Sequence, residues 1–409
     1  MVVDHTVVHQ EVINGRSCQK SVILVHNNQA TTNSQNQVDS ITNGESRNIA
    51  PLDVIIVGGG LSGLIVARNL SKNKRWKLLE ASENLGGRLR NDIAGNSIDL
   101  GGAWIWPHQQ QMAKLVESLG IGTFLQPGDS SSIRIVGGAA EIVKRIVDEL
   151  CAKSSDDDDP HEEDAHRIET KCPLVACRRI SESLVSVELA SGRVLHAKHV
   201  CFACPPKLII DLHTIQFCPS LPSTKSRAMA SSQTWMAGVT KVALVYHSPP
   251  FWPIYESNGG FQPGEHKPAF QFYDASPVDG SVCALTFFTL ASLSNAENDD
   301  AKLARDCAEQ LCSSLSNSTL RNFPNIVQHI RGYDEIHVKR WPQEKYISDD
   351  AHPTGITPHP EPDLELAKPE WNGMLLFPGT ETDLVSPGVM EGAVNSAVRV
   401  TNELLQSCY

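Results

Sequence analysis

Residues 52–90 constrain the fold of this 409-residue chain more than any other stretch. They open with a short apolar run at 54–57, which predicts a buried parallel strand. Gly58, Gly60 and Gly63 follow in the spacing G-x-G-x-x-G. Gly58 allows a sharp turn off the strand, Gly60 allows a ligand to approach the backbone, and Gly63 allows the next helix to pack close to the sheet. The pattern predicts a strand–turn–helix unit that binds a phosphate group.

The residues after the glycines complete a βαβ unit. Residues 61–70 carry apolar side chains at helical intervals, and a second apolar strand at 76–79 ends in Glu80. Glu80 follows Gly60 by about 20 residues, where a dinucleotide-binding unit places the carboxylate that accepts hydrogen bonds from the ribose hydroxyls. The free N–H groups at the start of the helix attract a pyrophosphate. We therefore interpret the unit as a dinucleotide site, the alternative being a glycine-rich turn in an ordinary α/β protein.

The composition is typical of a globular protein and argues against two classes of partner. Hydrophobic residues make up 41% of the chain, charged residues make up 20%, and the formal net charge is −12. A negative chain repels nucleic acids and anionic membranes, so we expect neither as a partner. No apolar run is long enough for a membrane-spanning helix, and the first residues do not resemble a secretory signal. Together with an odd count of eleven cysteines, this predicts an intracellular, cytoplasmic protein with reduced thiols.

Three further segments have a composition or spacing of their own. Residues 1–50 are rich in Asn, Gln, Ser and Thr without periodicity, which predicts a disordered tail. Residues 154–166 are mostly acidic, which predicts a solvated loop rather than a metal site. Cys201 and Cys204 form a C-x-x-C pair at the end of an apolar strand, where a redox or zinc role competes with a pair of buried strand cysteines. We predict no metal site.

The remaining chain mixes helical and strand patterns. Lys241 stands inside one apolar strand pattern, where a buried cation is costly without a partner. We interpret it as a functional residue, the alternative being a strand-edge lysine that faces solvent. Periodicity predicts helices at 109–119, 142–150, 301–315 and 388–405, and strands at 184–189, 194–196, 199–202, 239–246, 282–290, 336–341 and 374–377.

Several separated motifs resemble a single family. Besides the dinucleotide unit, they are GGRLR at 86–90, DLGGAWIW at 99–106, CFACPP at 201–206, VTKVALVYHSPPFW at 239–252 and LLFPGTETDLVSPGVMEGAVNSAVRVTNEL at 375–404. Together they resemble the flavin-containing amine oxidase family, whose members include monoamine oxidases, polyamine oxidases, some L-amino-acid oxidases and lysine-specific histone demethylases. The resemblance covers about residues 52–405.

The resemblance implies an α/β fold. A Rossmann-like FAD-binding domain would be joined to a smaller, shortened α+β substrate domain. The FAD-binding domain would comprise residues 51–128, 129–205 and 341–409, and the substrate domain would comprise residues 206–340.

The resemblance also implies which residues surround FAD. Lys241 would hold a water against the reactive flavin N5, and Trp341 matches a tryptophan near the flavin, so both are candidate catalytic residues. Glu80 would hold the adenosine ribose, and Met390 would approach the flavin carbonyl edge from a helix N-terminus. The other candidate cofactor residues are Gly58, Gly60, Leu61, Ser62, Gly63, Gly87, Arg88, Gly101, Gly102, Ala103, Trp104, Leu174, Val175, Gly379, Glu381 and Val389.

The chain departs from the family pattern in three places. The segment after Tyr346 lacks the cysteine through which some relatives attach FAD, which implies non-covalent FAD. Ala351 and Val389 stand where monoamine oxidases have two tyrosines that frame the amine. The long helical insertion that usually forms much of the substrate cavity is reduced to residues 125–132, so we expect water to reach the flavin more easily.

The implied function is an FAD-dependent oxidase that acts on the C–N bond of an amine or amino acid. A hydride would pass from the α-carbon to flavin N5, and dioxygen would reoxidise the flavin to give hydrogen peroxide. The partners would be the small-molecule substrate and dioxygen, and the oligomeric state is open. Two alternatives remain, namely an FAD-binding paralogue or scaffold without catalysis, and a desaturase-type flavoprotein, since desaturases share the dinucleotide unit.

Overall fold

A computed structural model defines the architecture of most of the chain. The described residues are 50–70, 74–92, 94–154, 167–211, 215–247, 258–294, 299–348 and 358–406, together with the pairs 12–13 and 16–17. The chain divides into two compact units, Met1–Ile49 and Ala50–Tyr409. In the first unit, β1 (Val12–Ile13) pairs antiparallel with β2 (Arg16–Ser17).

The second unit mixes strands and helices along the chain. Its strands are β3 (Leu52–Val57), β4 (Trp76–Leu79), β5 (Trp104–Ile105), β6 (Thr123–Leu125), β7 (Ile133–Ile135), β8 (Ile168–Glu169), β9 (Leu174–Ser181), β10 (Leu184–Leu189), β11 (Val194–Phe202), β12 (Gln216–Cys218), β13 (Val239–Tyr246), β14 (Asn258–Gly260), β15 (Ala269–Asp274), β16 (Cys283–Leu290), β17 (Glu335–Arg340) and β18 (Leu375–Leu376). Its helices are α1 (Leu61–Asn69), α2 (Gln110–Ser118), α3 (Ala140–Ser154), α4 (Pro206–Asp211), α5 (Ser223–Ser231), α6 (Ala291–Ser294), α7 (Asp300–Ser314), α8 (Asn317–Asn322), α9 (Ile326–Arg331), α10 (Leu364–Ala367) and α11 (Met390–Gln406).

Eight of the described strands form the sheet that carries the dinucleotide unit. Its order is β12-β9-β10-β11-β3-β4-β8, and β18 pairs with β11. β3 pairs in parallel with β4 and with β11, so the carboxyl ends of these three strands lie at the same edge of the sheet. Ligands of parallel α/β sheets bind beyond the carboxyl ends of the strands. The turn after β3 therefore lies where a ligand is expected.

Helices cover both faces of this sheet. On one face, α1, α2, α3 and α11 enclose an apolar core that includes Leu64 and Val400. On the other face, α4, α5 and α10 cover a second core that includes Ile209, Met229 and Leu366. Because both faces are buried, β3 and β4 are almost continuously apolar, as parallel strands of α/β proteins usually are. The three layers confirm the predicted α/β class.

The second large sheet has the order β14-β15-β16-β13-β17 and is antiparallel throughout. α7 and α9 cover one of its faces, with Leu303 and Ile330 in the core between them. The other face packs against Leu100 and Ala103, from the segment that leads into β5. β13 lies inside this sheet, and all of its residues are buried. Lys241 on β13 is therefore an interior residue, and the alternative of a solvent-facing lysine is wrong.

Residues 125–132, predicted to be the remnant of a helical insertion, form the tip of a hairpin. β6 pairs antiparallel with β7, and β7 pairs antiparallel with β5. Gln126 N donates a hydrogen bond to Ser132 O at 2.8 Å, which closes the turn between the two strands. The short link therefore has defined structure of its own, which the sequence did not predict.

Most predicted elements of the second unit are confirmed to within a few residues, and β4 and β13 have the predicted bounds. One prediction is wrong, because 194–196 and 199–202 belong to the single strand β11. Ala197 continues the pairing with Val185 on β10, so the strand is not interrupted. The prediction also missed β9 and β15, since polar residues such as Arg178 and Gln271 interrupt their apolar patterns.

Other predictions fall partly or wholly outside the described residues. The predicted tail at 1–50 is described only at β1, β2 and residue 50, and the acidic loop at 154–166 is described only at residue 154. Cys201 is buried in β11, and both Cys201 and Cys204 are free thiols. No group of three or more His, Cys, Asp or Glu in the described ranges is placed to hold a metal ion. Within the same ranges, every helix is too short or too polar to span a membrane.

Leu64 tests the packing of α1 in the core. Its side chain is fully buried, so Leu64→Ala should leave a cavity and lower the free energy of unfolding by about 2–5 kcal/mol. Val278, with 54% of its surface exposed, provides the control, and Val278→Ala should change that free energy by less than about 0.5 kcal/mol. Denaturant unfolding followed by circular dichroism measures both. Equal effects of the two substitutions would contradict the packing of Leu64 on α1 into the core.

Candidate active site

The turn between β3 and α1 has the geometry that its glycines predict. Gly58 adopts φ +108°, a conformation that residues with side chains rarely tolerate. A Cβ at Gly63 would lie 2.0 Å from the Gly58 carbonyl oxygen, so a larger residue would push α1 away from β3. A Cβ at Gly60 would meet no protein atom within 4 Å, and Gly60 lines a cavity. The turn thus presents the start of α1 and open space to a ligand.

Glu80, directly after β4, is buried beside this turn. Its Oε2 accepts a hydrogen bond from Gly59 N at 2.7 Å, and its Oε1 accepts one from Ser82 N at 2.7 Å. These bonds fix the carboxylate, and each oxygen keeps a further lone pair. Glu80 also lines the cavity, so its oxygens are available to a ligand there.

Arg88 and Glu381 join the second glycine segment to the C-terminal segment. Arg88 Nη2 lies 2.7 Å from Glu381 Oε1, and Arg88 Nη1 donates a hydrogen bond to the Trp235 carbonyl oxygen at 3.4 Å. Glu381 is fully buried, and its Oε2 accepts no hydrogen bond from the described part of the chain. An unsatisfied buried carboxylate oxygen is costly, so this atom marks a place where a ligand can donate a hydrogen bond.

A cavity of about 970 Å³ extends from the glycine turn to the five-stranded sheet. This volume lies at the upper end of the range for small-molecule sites, about 300–1,000 Å³. All of the predicted cofactor residues line the cavity except Gly63 and Gly101. The two candidate catalytic residues, Lys241 and Trp341, are not among the lining residues and lie behind the wall. The structure therefore brings the predicted cofactor residues together, and their individual roles stay predictions.

Lys241 supports the cavity wall from behind. Its Nζ donates hydrogen bonds to the carbonyl oxygens of Asp99 at 3.1 Å and Gly101 at 2.7 Å, and to Tyr273 Oη at 3.2 Å. These contacts use the three donors of an ammonium group. In this structure the ammonium therefore fixes the segment that lines the cavity, and its predicted action on flavin N5 stays a prediction.

Asp99 and Arg134 form a buried charged cluster with Lys241. Asp99 Oδ2 lies 3.7 Å from Arg134 Nη2, and the Arg134 guanidinium donates hydrogen bonds to the carbonyl oxygens of residues 274–276. Burial lowers the pKa of Lys241 to about 7, although the nearby Asp99 opposes this change. Burial also raises the pKa of Asp99, although Arg134 opposes that change. The cluster connects the wall segment, β7 and the end of β15.

Trp341 completes the support of the same segment. It is fully buried, and its Nε1 donates a hydrogen bond to the Leu100 carbonyl oxygen at 2.9 Å. Together with the bonds of Lys241, this satisfies the consecutive carbonyl groups of residues 99–101. Trp341 thus holds the wall in place, and the structure gives it no direct contact with the cavity.

Four aromatic side chains form one side of the cavity, which we call the aromatic wall: Trp104, Phe270, Tyr273 and Phe288. The Trp104 ring meets Tyr273 nearly edge-on, with centroids 4.5 Å apart, and stacks on Phe288 at 5.8 Å. Only Trp104 was a predicted site residue. The aromatic residues of β15 and β16 were visible in the sequence, but nothing in their spacing distinguished a cavity wall from an ordinary core.

Sequence reasoning missed Gln126 and Arg134. Gln126 is buried in the hairpin turn, and its Oε1 accepts a hydrogen bond from Trp104 Nε1 at 2.9 Å. A single glutamine in a turn carries no sequence signal. Arg134 did carry one, because it interrupts the apolar residues of β7, where a buried charge requires a partner.

Comparison with known proteins agrees with this geometry. Residues 61–136 and 124–405 match the family model described as flavin containing amine oxidoreductase. Over 277 residues, or 67% of this chain, identity to amine oxidase [flavin-containing] B of Sus scrofa is 27%, and the match covers 47% of that protein. Over 89 residues, or 21% of this chain, identity to an L-amino acid dehydrogenase of Synechocystis sp. is 43%, and the match covers 19% of that protein.

The fold has solved counterparts. Cyclohexylamine oxidase from Brevibacterium oxydans IH-35A has a TM-score of 0.69 at 16% identity, with 88% of this chain and 100% of that chain covered. Since the family model matches most of the sequence, the chain belongs to the flavin-containing amine oxidoreductase family. The chain spans about half the length of the amine oxidases B that it matches, 47% in each comparison.

Removing Arg88 should leave Glu381 buried without its cation. We expect Arg88→Met to lower the free energy of unfolding by about 3 kcal/mol, and a second substitution, Glu381→Gln, to restore part of the loss. Arg145 forms a surface ion pair with Glu141, so Arg145→Met is the control and should lower the free energy of unfolding far less than Arg88→Met does. Denaturant unfolding measures all of these variants. If Glu381→Gln deepened the loss, the ion pair would not be what stabilises this part of the site.

Lys241 should make stability depend on pH above neutrality. Its pKa is about 7 when folded and near the usual 10.5 when unfolded, so between these values the unfolded chain binds more protons. Stability should therefore rise with pH across this window relative to Lys241→Met, and the difference between the two proteins should level off below pH 7. Denaturant unfolding at several pH values measures the difference. A difference that stays flat across the window would contradict a buried, proton-poor Lys241.

Proposed function

We propose that the chain binds FAD without a covalent bond and oxidises the C–N bond of an amine or amino acid, with dioxygen as acceptor and hydrogen peroxide as product. The observation that carries the proposal is the meeting of Arg88 and Glu381 on the cavity of the dinucleotide unit. These residues come from segments almost 300 residues apart. A ligand longer than a mononucleotide needs contacts from more than one segment, and Arg88 and Glu381 bring two such segments to the same cavity.

The chemistry of the cavity fits FAD from end to end. The open space above Gly60 and the first N–H groups of α1 suit a pyrophosphate, and Arg88 can add charge to the same site. Glu80 suits a ribose, and the unsatisfied Oε2 of Glu381 suits a hydroxyl donor. Beyond them the wall becomes apolar and aromatic, and the start of α11 at Met390 faces the cavity, which suits a flat ring system.

Bound FAD would supply the hydride acceptor, so that a neutral amine loses a hydride from its α-carbon and the resulting imine is hydrolysed by water. The residues of the chain would bind and orient the amine. His359 lines the cavity, and burial lowers its pKa, which favours the neutral imidazole. A neutral imidazole can accept the proton that an ammonium substrate must lose before oxidation.

The cysteines of the cavity support non-covalent binding. Cys172 and Cys204 line the cavity, near Leu174 and Glu80 respectively, which is the nucleotide end. Burial raises the pKa of the Cys204 thiol to about 12 and raises that of Cys172, so neither is a ready thiolate nucleophile. Denaturation of the flavin-loaded protein should therefore release all of its flavin into solution.

A second candidate function is an FAD-binding protein that does not oxidise amines. One observation favours it, since the ammonium of Lys241 is fully engaged with the protein and does not line the cavity. The two candidates share the cofactor site and differ in turnover. Release of hydrogen peroxide over a panel of amines and amino acids separates them.

Gly60→Val tests the cofactor site. The valine side chain should fit the fold, because no protein atom lies within 4 Å of the new Cβ, but it should occupy the space of the pyrophosphate. We expect FAD affinity to fall at least about a hundredfold while the folded structure persists, as a clash at a close backbone approach predicts. Gly264 has the same open surroundings outside the cavity, so Gly264→Val is the matched control.

The two proteins are compared by flavin fluorescence titration and by circular dichroism. The proposal predicts normal FAD binding by Gly264→Val and weak binding by Gly60→Val, with similar spectra. Equal FAD affinities of the two variants would contradict the proposal that FAD binds at this turn. A wild-type protein that binds FAD and releases no peroxide with any amine would instead favour the second candidate function.

A further inference from the structure

We propose that Gln126 is a positioning and specificity-determining residue. It fixes the orientation of the Trp104 indole, and this indole is the part of the aromatic wall that selects the amine. The proposal rests on the proposed amine oxidation and adds to it the residue that shapes the substrate end of the cavity. Gln126 lies in the turn of the hairpin that β6 and β7 form. Both Gln126 and Trp104 line the cavity.

The chemistry of the contact fixes the orientation of the Gln126 amide. Trp104 Nε1 can only donate and the Asp274 carbonyl can only accept, so the amide oxygen must face the indole and the amide nitrogen must face β15. The distances agree, at 2.9 Å from Trp104 Nε1 to Gln126 Oε1 and 2.8 Å from Gln126 Nε2 to Asp274 O. One buried side chain thus connects the wall segment, the hairpin and the five-stranded sheet.

The hydrogen bond to Gln126 adds a directional contact to the ring contacts of Trp104. Trp104 is half-buried, and its neighbours Tyr273 and Phe288 contact it through ring faces and edges. Aromatic rings pack both stacked and edge-on, whereas the hydrogen bond to Gln126 specifies the direction of the indole N–H. Loss of the amide would leave the indole N–H without an acceptor beside the cavity, so the ring would turn and change the width of the cavity.

The wall selects the amine by shape and polarity. The aromatic wall offers flat apolar surface, and Asn258 Oδ1 lies 3.4 Å from Gln126 Nε2 at the same end of the cavity. Substrates with a flat or aliphatic substituent on the amine would pack on this surface. If the Trp104 ring changed its orientation, these substrates should bind more weakly, and their oxidation should slow less. The reason is that the substituent would contact the wall, whereas the reacting carbon would lie at the flavin.

The first experiment measures the hydrogen bond without turnover. Gln126→Met keeps length and volume but removes the acceptor, so the indole N–H resonance of Trp104 should move upfield in the NMR spectrum of the labelled, flavin-loaded protein. Trp104→Phe identifies the resonance by its disappearance. Gln310 is also buried, and its side-chain hydrogen bonds within the described residues go to the backbone of Ala269 on β15. Gln310→Met is therefore the matched control and should leave the Trp104 resonance in place.

The second experiment measures selection. For an amine with a bulky apolar substituent, Gln126→Met should raise KM about tenfold with a smaller change in kcat, as displacement of a positioning group predicts. Trp104→Phe should have a similar effect, and Gln126→Met should add little in the Trp104→Phe background. Gln310→Met should leave KM unchanged.

The results separate this proposal from the proposed function. An unmoved Trp104 resonance in Gln126→Met, or a KM effect that is undiminished in the Trp104→Phe background, would overturn the role of Gln126. If the resonance moves as expected but no amine is oxidised by the wild type, the proposed function fails and the positioning of Trp104 by Gln126 stands. A moved resonance together with a coupled rise in KM supports both.

Discussion

The hydrogen bonds that Lys241 and Trp341 donate to the carbonyl oxygens of residues 99–101 are the interaction on which the rest of the site depends. The segment after residue 101 forms part of the cavity wall, and it has no regular strand or helix of its own before β5. Without donors from the five-stranded sheet and the turn that follows it, three buried carbonyl groups would be unsatisfied. The sheet therefore determines the shape of a wall segment that follows the dinucleotide unit in the sequence.

These hydrogen bonds hold the Lys241 ammonium in the protein interior, where a charge has a high desolvation free energy. Lys241 is compensated by carbonyl oxygens, by the carboxylate of Asp99 and by the rings of the aromatic wall, with Phe288 at 4.5 Å. Arg134 adds a second buried cation that is anchored on carbonyl groups. Burial disfavours the charged form and lowers the pKa of Lys241 to about 7; Asp99 opposes this change and Arg134 adds to it.

The sequence was informative where one local pattern determines both structure and ligand. The spacing of Gly58, Gly60 and Gly63 before Glu80 predicted β3, α1, β4 and their common turn, because steric demands at those positions are local. The hairpin of β6 and β7 and the role of Gln126 could not be predicted, because they arise from contacts between segments about 20 to 150 residues apart. For the same reason, the sequence marked Lys241 as unusual but could not show that its donors face the protein.

The departures from the family pattern have a common structural outcome. Residues 125–132, where the resemblance implied a reduced helical insertion, form the tip of a tight hairpin, and four aromatic residues border one side of the cavity. The cavity therefore keeps both a dinucleotide end and an apolar end within a shorter chain.

Anaerobic mixing of the flavin-loaded protein with amines tests this account most directly. It predicts that at least one amine bleaches the visible absorbance of the bound flavin, and a flavin that stays oxidised with every amine and amino acid would contradict it.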